Sequence, residues 1–450
     1  MKFLKGYTTE EKSWMMYDWA NSAHTICVCT ILPIFFDTVA EYTANATSTV
    51  TTWGYATSIA MLIVALLAPA LGALGDFQGL RKKLFTVFML IGVVSCFFLA
   101  PTPLMDFTSS AAAAGKVGMF ILVMYIISTI GFNAANLYYD AFLTDVTTDD
   151  RVDQVSTLGY GLGYIGGSTI PLVIFLVLCA VGVDILVAMT VIFFLTGIWW
   201  FAFSIPLLRH VKQRGGEHAS RAAVLHSFTG VFATARKIFK SKALLIYIVA
   251  YFFYIDGVHT IIAMSTTYGA NLGLDSTGML LALLLVQVLG LPFCLLYISL
   301  AKKFGARRMV GVAIGVYSFI CVFAYFMTSL WQFWVLAFLC ATSQGGIQAL
   351  SRSMFSRLIP NKDQAGEYFG FFDIFGKVSS IMGPALCGFI SALAYTRFAA
   401  TDPSLTAAQL DSMSAPYGIL SIVALFIIGG GLYYFVLPKY ATKAQMNAGE

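Results

Sequence analysis

The side chains of this 450-residue chain that could do chemistry stand inside long apolar runs. The first run holds Asp18, Asn21 and His24, with Ser22 and Thr25 near the same helical face. The fourth holds Asn133, Asn136 and Asp140 at steps of three and four. The seventh holds Asp256, His259 and Thr260, and the tenth holds Gln344, Gln348 and Arg352 at successive steps of four. Steps of three and four stack side chains on one helix face. Such groups are expensive in hydrocarbon, roughly 2.5–3.5 kcal/mol each on insertion scales. Runs 3, 6, 9 and 12 carry no internal Asn, Gln, His or charge apart from edge residues, so the polarity recurs on every third run. Mixed donors and acceptors with both charge signs suit binding of a small polar solute and movement of protons. No nucleophile–base constellation of an enzyme appears. His24 and His259 with Asp256 have no further ligand at metal spacing, so neither a metal nor a cofactor is expected.

Asp256 has two readings. One is a proton-coupling carboxylate, with Asp18 as a second candidate. The other is a helix-packing hydrogen bond to Asn21 or Ser22. The two histidines read equally as polar lining or as proton carriers, because imidazole titrates near neutrality.

These groups need apolar helices to hold them. Hydrophobic residues make up 59% of the chain and charged residues 11%, against about a quarter charged in ordinary soluble domains. Runs of roughly 20 apolar residues, each able to cross about 30 Å of hydrocarbon, recur from end to end. Twelve spans are expected, at Ser13–Phe36, Thr52–Gly75, Leu84–Pro103, Lys116–Tyr139, Ser156–Ala180, Asp184–Leu208, Ala243–Gly269, Ser276–Leu300, Arg307–Thr328, Leu330–Ser351, Gly370–Tyr395 and Pro416–Leu437. The expected fold class is an all-α membrane protein: a six-helix bundle over 1–208, a linker over 209–242, a second six-helix bundle over 243–437 and a tail over 438–450. The first run is too long for a signal-peptide core and has no small-residue cleavage site. The eight cysteines lie inside apolar runs and read as small buried hydrophobes.

Charge gives the orientation. Of the 27 Lys and Arg residues, 24 fall in the termini and in the loops after spans 2, 4, 6, 8 and 10. Positive loops stay cytoplasmic, so both termini are expected inside a cell (inner) membrane. The net charge of +5 then reflects topology, with the lipid bilayer as partner and no nucleic acid, and a monomer is expected. In the linker, Val224, Phe228, Val231, Phe232, Ala235 and Phe239 recur at helical steps beside Arg236, Lys237, Lys240 and Lys242, the pattern of a helix lying on a membrane.

The halves carry a repeat. Asn21 precedes His24-Thr25-Ile26 by three residues, as Asp256 precedes His259-Thr260-Ile261, at an offset of 235. Span 5 holds Gly159, Gly163 and Gly167, with Gly161 and Gly166 beside them, a spacing that permits close helix approach. Asp373 and Lys377, four apart in span 11, read as an intrahelical ion pair with a structural or gating role.

Gly72-Ala-Leu74-Gly-Asp76-Phe-Gln-Gly79-Leu-Arg81-Lys82 resembles the loop signature of the major facilitator superfamily. The second-half copy, Leu300-Ala-Lys302-Lys303-Phe-Gly305-Ala-Arg307-Arg308, has Lys302 where that family has an acid. Tyr17-Asp18-Trp19-Ala20-Asn21-Ser22-Ala23 resembles the opening motif of the "unknown major facilitator" branch, which includes the autophagy-related vacuolar amino-acid effluxers. Tyr254-Ile255-Asp256-Gly257 agrees with that branch, as does Gln348-Ala-Leu350-Ser351-Arg352-Ser353. The resemblance implies a transporter in which helices 1, 4, 7 and 10 line the substrate cavity. Asp76 with Arg81 is expected to gate from the inner face, and Asp18 and Arg352, nearer the cytoplasmic ends of their spans, are expected at an inner gate, with Asp140 also in gating.

The expected function is secondary active transport of a small polar or zwitterionic organic solute, of the amino-acid or short-peptide class, by alternating access with proton coupling. The alternatives are another solute class (a drug, a sugar or a lipid-like compound) and a transporter-like sensor that does not transport.

Overall fold

A computed structural model describes residues 5–43, 49–216 and 235–446. Each of the twelve expected spans is helical. We number them α1 to α12. Helix α1 runs over Thr9–Ile26, passes through a π-helical turn at Cys27–Ile31 and continues over Leu32–Ala40. There follow α2 (Thr49–Gly75), α3 (Leu80–Leu99) and α4 (Ala111–Val146). Helix α5 (Val152–Ala180) is π-helical over Gly163–Thr169, and α6 is Ile185–His210. The second half comprises α7 (Lys242–Asn271), α8 (Ser276–Phe304), α9 (Ala306–Tyr325), α10 (Leu330–Leu358) and α11 (Ala365–Thr401). Helix α12 runs through Ala407–Ser421, Val423–Gly431 and a π-helical Leu432–Val436. Among the described residues ten helices are long and apolar enough to cross a membrane, and Ile59–Gly75 forms a shorter apolar helix.

Local chemistry sets several ends. Thr8 and Glu11 form a reciprocal capping box at the start of α1, as do Ser329 with Gln332 for α10 and Thr406 with Gln409 for α12. Ser110, Asp184 and Asp275 accept from the first turns of α4, α6 and α8. Gly79 (φ +74°) and Gly305 (φ +86°) occupy the left-handed region immediately before α3 and α9, where a side chain would be strained. Most of the expected interfacial helix at Val224–Phe239 lies outside the described residues. Residues 235–240 are helical.

The chain forms two compact units. Unit 1 comprises Met1–Thr147, Leu162–Phe232 and Asn361–Phe371, and unit 2 comprises Thr148–Gly161, Ala233–Pro360 and Phe372–Glu450. The first turns of α5 thus belong with unit 2, and those of α11 with unit 1. Within unit 1, α1 packs on α5 and α6, and α4 packs on α2 and α3. Within unit 2, α7 packs on α12, and α10 packs on α8 and α9. The α1–α6, α4–α2 and α4–α3 pairings have counterparts in α7–α12, α10–α8 and α10–α9.

The glycines of α5 do what their spacing suggested. A Cβ on Gly163 would lie 2.6 Å from Ser22 Oγ, and one on Gly166 would overlap the Trp19 ring. Only glycine lets the π-helical stretch of α5 lie this close to α1.

Candidate functional site

In unit 1 the polar residues of α1 and α4 meet. Asn21 Nδ2 donates to Asn136 Oδ1 at 2.8 Å, and Ser22 Oγ donates to Asn21 Oδ1 at 3.4 Å. Asn133 Nδ2 turns back to its own helix and donates to the Thr129 carbonyl at 2.7 Å. His24, 2% exposed, lies 2.5 Å from Ser128 Oγ through Nε2. Its ring stacks on Phe132 and tilts against Trp200 of α6. One turn before Asn21, Asp18 Oδ2 accepts from the Tyr139 hydroxyl at 2.8 Å. Asp140 is half-buried on α4.

Asp76, Arg81 and Asp145 form a buried ionic cluster. Arg81 Nη2 donates to Asp76 Oδ1 at 2.7 Å and Nη1 to Asp145 Oδ2 at 2.6 Å. Further donation goes to the carbonyls of Gly75 and Ala141. Asp76 also accepts from the backbone N–H of Gly366 at 2.7 Å and of Glu367 at 2.8 Å, in the first turn of α11. A carboxylate at a helix N-terminus is favoured by the orphan N–H groups and the dipole. Burial pushes the Asp76 carboxyl up from 3.8 to about 7, against Arg81 and the two backbone donors, which pull it down. Close approach of α2 and the start of α11 again needs glycine: a Cβ on Gly366 would lie 2.5 Å from the Gly72 carbonyl oxygen.

In unit 2, Asp256 is fully buried. Its Oδ1 accepts from the Gly383 N–H of α11 at 2.9 Å and, more weakly, from Thr260 Oγ1 at 3.4 Å. Oδ2 has no hydrogen-bond partner among the described residues. Pro384 follows Gly383 inside α11, where a proline withdraws its own N–H from the helical ladder. His259 is half-buried and within electrostatic reach of Lys377. Lys377 pairs with Asp373 one turn away on α11. Gln344 and Gln348 are half-buried on α10.

Arg352 engages the first turns of α5. Its Nε donates to Ser156 Oγ at 3.0 Å, its Nη2 to the Ser156 carbonyl at 3.1 Å, and its guanidinium carbon lies 4.4 Å from the Tyr160 ring centroid. Next to it, Arg357 Nη1 donates to Asp153 Oδ1 at 2.6 Å and Ser353 Oγ donates to the same carboxylate.

The structure therefore brings together Asn21 with Asn136, Asp76 with Arg81, and Asp373 with Lys377. The repeat positions diverge in chemistry: Asn21 bonds to α4, whereas Asp256 bonds to α11. Sequence reasoning missed Asp145, Asp153 and Arg357, which lie past the ends of the apolar runs. Each was nonetheless marked by its setting, being three to five residues from Asp140, Ser156 or Arg352 on the same helix.

The family model described as vacuole effluxer Atg22 like matches residues 45–396. The MFS-type transporter YxiO of Bacillus subtilis (strain 168) is 41% identical over 452 residues, covering 99% of this chain and 98% of its own. Autophagy-related protein 22-2 of Aspergillus clavatus is 24% identical over 265 residues, 53% of this chain and 43% of the fungal one. This chain thus aligns with less than half of that relative's length. Among solved structures, the MFS proton:xylose symporter XylE, bound to 6-bromo-6-deoxy-D-glucose, is similar with a TM-score of 0.69 and 15% identity, covering 96% of this chain and 95% of that one. That likeness shows the major facilitator fold. By the extent of the family match and the near full-length identity to a relative, this multi-pass membrane protein belongs to the Atg22-like family of major facilitator superfamily transporters.

Proposed function

We propose that this chain moves a small polar or zwitterionic organic solute, of the amino-acid or short-peptide class, by alternating access coupled to protons. Asn21, His24, Asn133, Asn136, His259, Gln344 and Gln348 contact the solute. Asp18 serves as a secondary proton carrier. Asp76, Arg81, Asp140, Arg352, Asp373 and Lys377 act in gating. The protein works as a monomer in the cell membrane with both termini cytoplasmic.

One observation carries this reading. Asp256 is a buried carboxylate in the middle of a membrane-spanning helix, and the Gly383 N–H and Thr260 hydroxyl that donate to it are neutral. Such a group is tolerated when it can take a proton. Its second oxygen, unpartnered among the described residues, is where that proton would sit. The effluxer description of the family and the proton:xylose symporter of the same fold are consistent with proton-linked solute movement.

Asp256→Asn mimics the protonated side chain. In liposomes it should abolish accumulation of substrate along an imposed proton gradient, while counterflow exchange partly survives. The solute itself is found by comparing metabolites between deletion and overexpression strains. Gradient-driven accumulation at the wild-type rate in Asp256→Asn liposomes would remove Asp256 from the coupling role. A purely hydrophobic compound as the only affected metabolite would overturn the solute class.

A further inference from the structure

The two copies of the loop signature both place a glycine of positive φ, Gly79 and Gly305, before the next helix, and they differ in chemistry. In the first copy the cation that follows, Arg81, is 1% exposed and lies between two carboxylates. In the second, Lys302 stands where Asp76 would be, so this loop has no acid to cap a helix N-terminus. Its cations point elsewhere. Residues 301–312 and 432–446 together hold six Lys and Arg and no Asp or Glu. Lys302, Lys303, Arg308 and Lys439 are exposed, and none of the four is in an ion pair among the described residues.

Arg307 joins these segments into one surface. Its Nη2 donates to the Tyr434 carbonyl at 2.8 Å, and its guanidinium carbon lies 4.8 Å from the centroid of the Tyr434 ring. The start of α9 is thereby pinned to the end of α12. The depth is set by the spans, which end at Phe304, begin at Ala306 and end at Lys439. Tyr434 is 46% and Phe435 71% exposed beside the cations, and exposed aromatics at a span end sit at headgroup level.

From these observations we infer that the edge of unit 2 where α8 ends, α9 begins and α12 ends binds the phosphate headgroup of an anionic phospholipid. Charges that only set topology need neither a pinned geometry nor neighbouring aromatics. The inference is independent of the solute reading above. Each Lys or Arg near an anionic membrane surface contributes about fivefold in affinity, so a site of four such cations discriminates strongly by headgroup charge.

The test uses the purified full-length protein in detergent, titrated with phosphatidylglycerol or phosphatidylcholine and followed by native mass spectrometry. Wild type should bind phosphatidylglycerol at least tenfold more tightly than phosphatidylcholine. The fourfold variant Lys302→Gln, Lys303→Gln, Arg308→Gln, Lys439→Gln should lose that preference. Lys116→Gln, an exposed cation near the start of α4, should keep it. Equal melting temperatures in phosphatidylcholine establish that the fourfold variant is folded. Should it melt lower, Arg308→Gln with Lys439→Gln alone is read instead, with a preference reduced at least fivefold expected. A variant that retains the full preference would overturn the site. So would a wild type that does not distinguish the two lipids. Displacement of phosphatidylglycerol by 10-fold excess inorganic phosphate would show a free-anion site and overturn the lipid assignment.

Discussion

Arg81 holds two carboxylates that face one another across the ends of α2 and α4, and removing it should expose what each contact is worth. In Arg81→Met, Asp76 keeps the amides of Gly366 and Glu367, and Asp145 keeps the Arg214 amide at 3.0 Å. Neither keeps the guanidinium. Breaking a buried ion pair by deleting one partner costs about 3–5 kcal/mol. With those amides still in place, the cost here should fall near the lower end, about 3 kcal/mol. Asp145→Asn retains a hydrogen-bonding side chain and should cost about 1–3 kcal/mol. In the double variant no stranded charge remains at position 145, so the combined cost should be about 1–3 kcal/mol less than the sum, the scale of coupling between residues in contact. The four proteins would be unfolded in mixed micelles by titration with a denaturing detergent, and their free energies compared as a cycle. Costs that add to within about 0.5 kcal/mol, the range expected of independent sites, would refute a shared, energy-bearing contact between Arg81 and Asp145.

Two further outcomes follow, one from the same cluster and one from the contact of α11 with α7. Burial raises the Asp76 carboxyl from 3.8 to about 7, so the folded arrangement binds this proton more tightly than the unfolded chain does. Its contribution to stability is therefore complete in acid and is lost as the pH rises through about 7. Asp76→Asn should flatten the change in melting temperature between pH 4 and 8, and a variant with the wild-type slope would assign that slope to another group. At Gly383 a Cβ would overlap Thr260 Oγ1 and lie 2.6 Å from Asp256 Oδ1. Gly383→Ala should push α11 off α7 at a cost of about 1–3 kcal/mol, visible as a lower melting temperature together with weaker proton-driven uptake, and an unchanged protein on both readouts would contradict the packing described.

The helices were legible because each is an apolar run, but their true lengths were not. Helix α4 was expected over Lys116–Tyr139 and extends over Ala111–Val146. Its last turns carry Asp140 and Asp145, so hydrophobicity stops while the helix continues. The Asn21–Asn136 pair could be anticipated from helical spacing, because both amides lie in apolar surroundings and each needs a partner. The Asp256 partner could not, since it is a backbone N–H presented by Gly383, and a glycine gives no polarity signal. Likewise the π-helical turns at Cys27–Ile31 and Gly163–Thr169 leave no mark in the apolar pattern. Each is followed two residues later by a proline, Pro33 and Pro171, whose missing N–H interrupts the α-helical ladder.

The left-handed glycines before α3 and α9 show which part of a duplicated loop is free to diverge. A non-glycine residue at φ +74° or +86° would carry a penalty of about 1–2 kcal/mol whatever the neighbouring side chains do. The turn itself is thus a fixed hinge pin, and the charges mounted around it are interchangeable fittings. An acid three residues from the pin gives a clasp for a helix end, and a lysine at the same place gives a cationic rim. Two loops that each hold a positive-φ glycine can in this way come to serve opposite electrostatic ends.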